Sequence, residues 1–201
     1  TFGYGGAPVL RDVELDVPAG STLGIVGPTA SGKSTLVSLL PRLYDPPPAT
    51  LFLDGRDVRE LPLAQLRAAI AFVPQEAFLF SASIRDNIAF AAPSAGDEAL
   101  RAAVRDAHLE PDLARWPGGW DTVVGERGVT LSGGQKQRAA LARALATQAR
   151  VLVLDDALSA VDAETETQIL ASLRRYRAGR TVIVVSHRVS AVRDLDRIVC
   201  L

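Results

Sequence analysis

Apolar positions in this chain fall in short continuous runs rather than in alternation. Thr22-Leu23-Gly24-Ile25-Val26, Ile70-Ala71-Phe72-Val73, Val151-Leu152-Val153-Leu154 and Thr181-Val182-Ile183-Val184-Val185 each predict a strand. Such runs suit strands covered on both faces, as in parallel sheets. Leu51-Phe52-Leu53 with Asp54-Gly55 predicts a short strand and a turn, and Ile198 to Leu201 reads as strand again. Between these runs the spacing turns helical. A helix is expected from Lys33 to about Leu43, closed by Pro41 and the Asp45-Pro46-Pro47-Pro48 cluster. Residues from about Glu76 to Thr147 read as helical, with apolar periodicity over Glu98 to His108 and a long helix after Gly133. A further helix, from about Ala163 to Tyr176, links the last two long strands. The alternation implies an α/β core, residues 1–75 and 148–201, interrupted by a helical lobe over 76–147, all within one domain.

Composition narrows the function classes. The chain has 201 residues, 48% of them hydrophobic, and a net charge of −1, which gives a proper core and no electrostatic case for nucleic acid. No apolar stretch approaches the ~18 residues that a membrane helix needs. Its one cysteine, Cys200, sits in an apolar run and is expected to be a small buried hydrophobe; His108 is expected on a helix surface. The chain lacks methionine, opens on Thr1 and ends inside a strand pattern, so it is expected to be a piece of a longer polypeptide. Only two lysines occur, Lys33 and Lys136, and both fall inside the motifs that carry chemistry.

The first motif is Gly27-Pro28-Thr29-Ala30-Ser31-Gly32-Lys33-Ser34-Thr35, between a predicted strand and a predicted helix. Backbone N–H groups of such a loop curl into an anion nest at a helix N-terminus, the lysine adds a charge for β/γ-phosphates, and the serine hydroxyl can ligate Mg²⁺. Ala30 stands where a small residue, usually glycine, is common, and its Cβ resists positive φ. The second motif, Leu131-Ser132-Gly133-Gly134-Gln135-Lys136-Gln137-Arg138, opens another helix, with Ser132 as its N-cap and glycines through which a phosphate could approach the backbone.

Over essentially its whole length the sequence resembles the nucleotide-binding domain of ABC transporters. The residues carrying the likeness occur in the family order: Tyr4, the phosphate loop, Gln75, the signature from Leu131, Val151 to Asp156, Ser159-Ala160-Val161-Asp162, and His187. The resemblance implies a P-loop NTPase fold: a mostly parallel sheet, an antiparallel β subdomain and an inserted helical subdomain. It implies ATP and Mg²⁺ as cofactors and a second nucleotide-binding domain as partner. Two such domains pair head to tail, so that Ser132, Gly133, Gly134 and Gln135 of one complete the phosphate site of the other. By the same likeness Tyr4 stacks on adenine, and Ser34, Gln75 and Asp155 serve Mg²⁺. Asp156, Gln75 and His187 form the hydrolytic group, with His187 at the γ-phosphate.

Phe78 to Ile88 and Val124-Gly125-Glu126-Arg127-Gly128 resemble the stretches of exporters that touch the transmembrane domains. That implies a place on the cytoplasmic face of the cell membrane, with substrate choice made in membrane helices. A soluble member of the family acting in DNA repair or translation is disfavoured by the neutral charge and by the exporter-like Phe78–Ile88 run.

One residue departs from the pattern. Hydrolytic members carry Glu after the strand aspartate, and here Asp156 retracts the carboxylate by ~1.5 Å. Misplacement by ~1 Å can cost ~10²-fold in rate, so weak hydrolysis is expected at this chain's own phosphate loop. Such a site resembles one half of a heterodimeric exporter. A slow homodimer and a nucleotide-gated dimerisation module with incidental hydrolysis are the alternatives.

Overall fold

The computed structural model describes residues 1–125, 129–176 and 179–201. In chain order the elements are β1 (Thr22–Val26), α1 (Lys33–Leu39), β2 (Phe52–Leu53), β3 (Arg56–Asp57), α2 (Leu63–Ala69) and β4 (Ile70–Val73). Helices α3 (Ile84–Ala89), α4 (Asp97–Asp106), α5 (Glu110–Leu113) and α6 (Gly133–Ala146) follow. Then come β5 (Val151–Asp155), α7 (Ala163–Tyr176), β6 (Thr181–Val185), α8 (Val189–Val192) and β7 (Arg197–Cys200). The expected strands and α7 are present, β1, β4, β6 and α7 with the expected bounds. Helix α1 is shorter than expected because Arg42 takes a left-handed φ of 51°. Its N–H donates to Leu39 O and that of Leu43 to Ser38 O, a Schellman-type closure before the proline cluster.

The chain divides into two compact units. The first comprises Thr1–Phe72, Arg150–Asp155 and Gly179–Leu201. A five-stranded sheet runs in the order β4-β5-β6-β1-β7, and β5, β6, β1 and β7 are parallel neighbours. Leu23 lies opposite Ile183, which in turn lies opposite Val153, and all three are buried in a core that includes Val37, Leu66 and Val185. Every residue of β6 is buried, as its unbroken apolar run requires. Gly24 admits α8 against β1: a Cβ there would lie 2.8 Å from that of Val192. Strands β2 and β3 form a separate antiparallel pair.

The edge strand corrects one expectation. Cys200 is exposed; among the described residues β7 stands last in the sheet order and pairs only with β1. Apolarity of the run signalled a strand, but burial depended on its place in the sheet.

The second unit comprises Val73–Ala149 and Asp156–Ala178, and α6 packs against α3 and α4 at its centre. Leu141 and Ala142 of α6 are fully buried, as are Ile84 and Ile88 of α3. His108 is not on a helix surface: it sits half-buried in the turn after α4 with φ 52°, its Nε2 3.2 Å from Ser172 Oγ. Among the described residues no helix is long and apolar enough to cross a membrane.

Candidate functional site

In the first unit, β1 delivers the chain to the loop Gly27–Gly32, and α1 leaves from it. Gly32 caps α1 in the left-handed region, φ 99°, where a side chain would be strained. Ala30 holds φ 64°, so this loop keeps a left-handed residue without a glycine there. Lys33 is 5% exposed and its ammonium donates to Gly27 O at 2.9 Å, to Pro28 O at 2.6 Å and to Ser31 Oγ at 3.4 Å. The charge is thereby held against the loop by the carbonyls of Gly27 and Pro28. At the loop's foot, Ser34 Oγ donates to Asp155 Oδ1 at 2.9 Å, and Asp155 ends β5 buried.

Ser34 Oγ and the Asp155 carboxylate bring two hard oxygen donors together at the foot of the loop. Mg²⁺ takes one or two such protein oxygens together with phosphate oxygens and water. The residues therefore fit a magnesium-bound triphosphate. Among the described residues no group of three or more His, Cys, Asp or Glu could hold a metal ion.

Tyr4 lies beside the loop in the same unit. Its hydroxyl donates to Thr35 Oγ1 at 3.0 Å, and its ring meets Phe2 and Tyr44 edge-on, with centroids 5.3 and 4.9 Å away. More than half of Tyr4 stays exposed, which leaves aromatic surface for a stacking partner. His187 is exposed just beyond β6, after the buried Ser186.

The second unit holds Gln75, Asp156 and the signature. Gln75 Nε2 lies 3.5 Å from Asp156 Oδ2, a long and weak contact. Asp156 is half-buried with φ 47°, a conformation that Asp tolerates better than most residues. Ser132 is the N-cap of α6 in a complete capping box: its Oγ accepts from Gln135 N–H at 3.3 Å, while Gln135 Oε1 accepts from Ser132 N–H at 2.9 Å. Gln135 Nε2 also donates to Asp112 at 2.7 Å, and Arg138 pairs with the same carboxylate at 2.6 Å. Lys136, by contrast, is exposed.

The signature glycines have a packing role that the sequence did not reveal. A Cβ on Gly134 would stand 2.8 Å from Ala160 O, and one on Gly133 would stand 3.2 Å from Ala160 Cβ. The signature helix thus rests directly on the Ser159-Ala160-Val161 loop. Sequence reasoning also passed over Gln137, 5% exposed and bonded to Ser159, Ala160 and Gln75. The available signal was a polar side chain on the helix face that carries Leu141 and Ala144. Of the exporter-like run Val124 to Gly128, Glu126, Arg127 and Gly128 lie outside the described residues.

Comparisons with known proteins agree with this geometry. The family model described as ABC transporter matches residues 10–159. The chain is 47% identical, over all its length, to 34% of an ATP-dependent lipid A-core flippase of Chromohalobacter salexigens. It is 45% identical, over 99% of its length, to 35% of the uncharacterized ABC transporter ATP-binding protein YwjA of Bacillus subtilis. A solved bacterial Atm1-family ABC exporter with ATP bound superposes with TM-score 0.94 at 42% identity, covering all of this chain and 35% of that one. The chain spans about a third of the length of these relatives. With the family model matched over most of its length, the chain belongs to the ABC transporter family, as a nucleotide-binding domain.

Proposed function

We propose that this domain binds Mg²⁺-ATP, closes head to tail on a second nucleotide-binding domain, and so drives an exporter at the cytoplasmic face of a membrane. The observation that carries the reading is the Ser34–Asp155 contact at the foot of a loop whose lysine is already fixed inward. Lys33 and the loop's backbone N–H groups would hold the phosphates, and Ser34 and Asp155 the magnesium ion, Asp155 through water. Bound Mg²⁺-ATP supplies a phosphoanhydride whose cleavage needs a positioned water and charge compensation. Tyr4 offers a face to the base, and Gln75 and His187 serve the ion and the γ-phosphate. Ser132, Gly133, Gly134 and Gln135 complete the phosphate site of the partner, not their own.

Asp156 sets the rate at this chain's own site. Its short carboxylate falls about one C–C bond short of where a glutamate would orient water. The reading is therefore a slow, degenerate site here and a competent one on a non-identical partner. Contacts with the transporter's transmembrane domains fall on the exposed aromatic ridge of Phe78, Phe80 and Phe90, whose ring centroids stand 5.1 and 4.4 Å apart in sequence. Arg143 braces that ridge by donating to Phe78 O and Asn87 O, with its guanidinium near the Phe80 ring.

Single-turnover hydrolysis of Mg²⁺-ATP by concentrated protein tests the reading, with native protein compared against Asp156→Glu. A gain of ~100-fold for the glutamate variant supports a degenerate site. Rates that agree within a few-fold refute it and make Asp156 an adequate base.

A further inference from the structure

Gln137 is buried on α6, and each polar atom of its amide has a partner. The amide oxygen accepts the Ala160 N–H at 2.9 Å. Its nitrogen donates to Ser159 Oγ at 3.0 Å and, at the long limit of 3.4 Å, to the backbone carbonyl of Gln75. From Gln75 the side chain reaches Asp156 Oδ2, and the Asp156 carbonyl accepts the Ser159 N–H at 3.2 Å. The contacts close a ring: Gln137, Gln75, Asp156, Ser159 and back to Gln137. A buried amide with two donors and one acceptor all engaged has a single low-energy orientation. Helix α6 also begins one turn earlier at Gly133 and Gly134, which rest on Ala160.

We infer that Gln137 is a positioning residue for the Asp156 carboxylate, through which the seat of the signature helix is transmitted to Gln75 and Asp156. Gln137 touches no reacting atom in this scheme. It acts by fixing the Gln75 backbone on one side of Asp156 and the Ser159–Ala160 loop on the other. The inference rests on the proposed hydrolytic role of Asp156. A signature engaged by a partner's nucleotide would then bias this chain's own hydrolytic group.

Three variants separate the arms of the amide. Gln137→Glu keeps the acceptor for Ala160 N–H but has no N–H to give Ser159 or Gln75. Gln137→Ala loses both arms, and Ser159→Ala removes the hydroxyl that accepts from Gln137 Nε2. Each is measured for ATP affinity, for single-turnover rate in the native and Asp156→Glu backgrounds, and for amide hydrogen exchange by mass spectrometry. In Gln137→Glu, ATP affinity is expected to hold within about threefold and Ala160 to stay protected. Turnover should fall about tenfold, and the peptide spanning Gln75 should exchange about tenfold faster. Gln137→Ala should lose the Ala160 protection as well, and Ser159→Ala should show a turnover loss of a few-fold.

Unchanged turnover in all three variants, in both backgrounds, overturns the inference. So does unchanged exchange at Gln75 in Gln137→Glu. Should the native chain fail to bind ATP, the functional reading falls instead, and exchange at Gln75 still decides whether Gln137 holds it.

Discussion

Adding one methyl group at Gly134 sets two effects of opposite sign against each other. Gly134 lies in the first turn of α6, where Ala would gain up to ~1 kcal/mol of helix propensity. Its new Cβ would stand 2.8 Å from Ala160 O, with Ala160 C and Val161 Cα at 3.6 Å, so something must move by about half an ångström. The Ala160 backbone cannot give freely. Its N–H is held by Gln137, the next N–H donates to Leu158 O at 3.0 Å, and Val161 is buried at 3% exposure. Overpacking of this kind costs ~1–3 kcal/mol, and a rigid backbone oxygen puts the cost in the upper part of that range. The expected net is a loss of about 1–2 kcal/mol, or ~2–8 °C in Tm for a chain of this size. Gly133→Ala makes the control, because its Cβ meets only a methyl group at 3.2 Å. There the two effects should cancel to within ~0.5 kcal/mol. Thermal and urea unfolding followed by circular dichroism, without nucleotide, reads both variants. If Gly134→Ala is as stable as the native chain or more so, helix propensity has won and the packing argument is wrong.

Other perturbations follow from single features of the structure. Ala30→Gly should raise stability by ~0.5–1 kcal/mol, the relief of a left-handed alanine less the entropy of an added glycine; a lower Tm would contradict the observed φ of 64°. Arg143→Lys should cost ~2–3 kcal/mol by urea unfolding, because one ammonium cannot serve Asn87 O, Asn87 Oδ1 and Phe78 O as the guanidinium fork does. Burial lowers the Arg143 pKa without neutralising it, so that loss should be independent of pH between 6 and 8. The Thr165 N–H holds the Asp162 carboxyl below its ordinary pKa. A depressed folded pKa stabilises above the unfolded value of ~3.9 and is lost as pH falls through the folded one. The stability gap between native protein and Asp162→Ala should therefore be full at pH 6 and close below about pH 4. A gap that does not narrow at all between pH 6 and the acid limb would refute the role of the charge.

Much of this protein is written in local chemistry. Nearly unbroken apolar runs located β1, β4, β5 and β6, because strands covered on both faces are apolar along most of their length. The phosphate loop and the Ser132 cap were legible for a related reason: each depends on backbone N–H groups and side chains within a few residues of one another. Tertiary structure decided what depends on distant partners. It exposed Cys200 by putting its strand at the sheet's edge, and it brought Ser34 to Asp155 across 121 positions of sequence. It also gave the signature glycines a second purpose against Ala160 and made Gln137 the buried link between two loops, that of Gln75 and that of Ser159–Ala160. Local sequence reports the conformation a segment prefers. Only packing determines which segments share a wall, and a satisfied buried amide or a forbidden Cβ exists only once that wall is built.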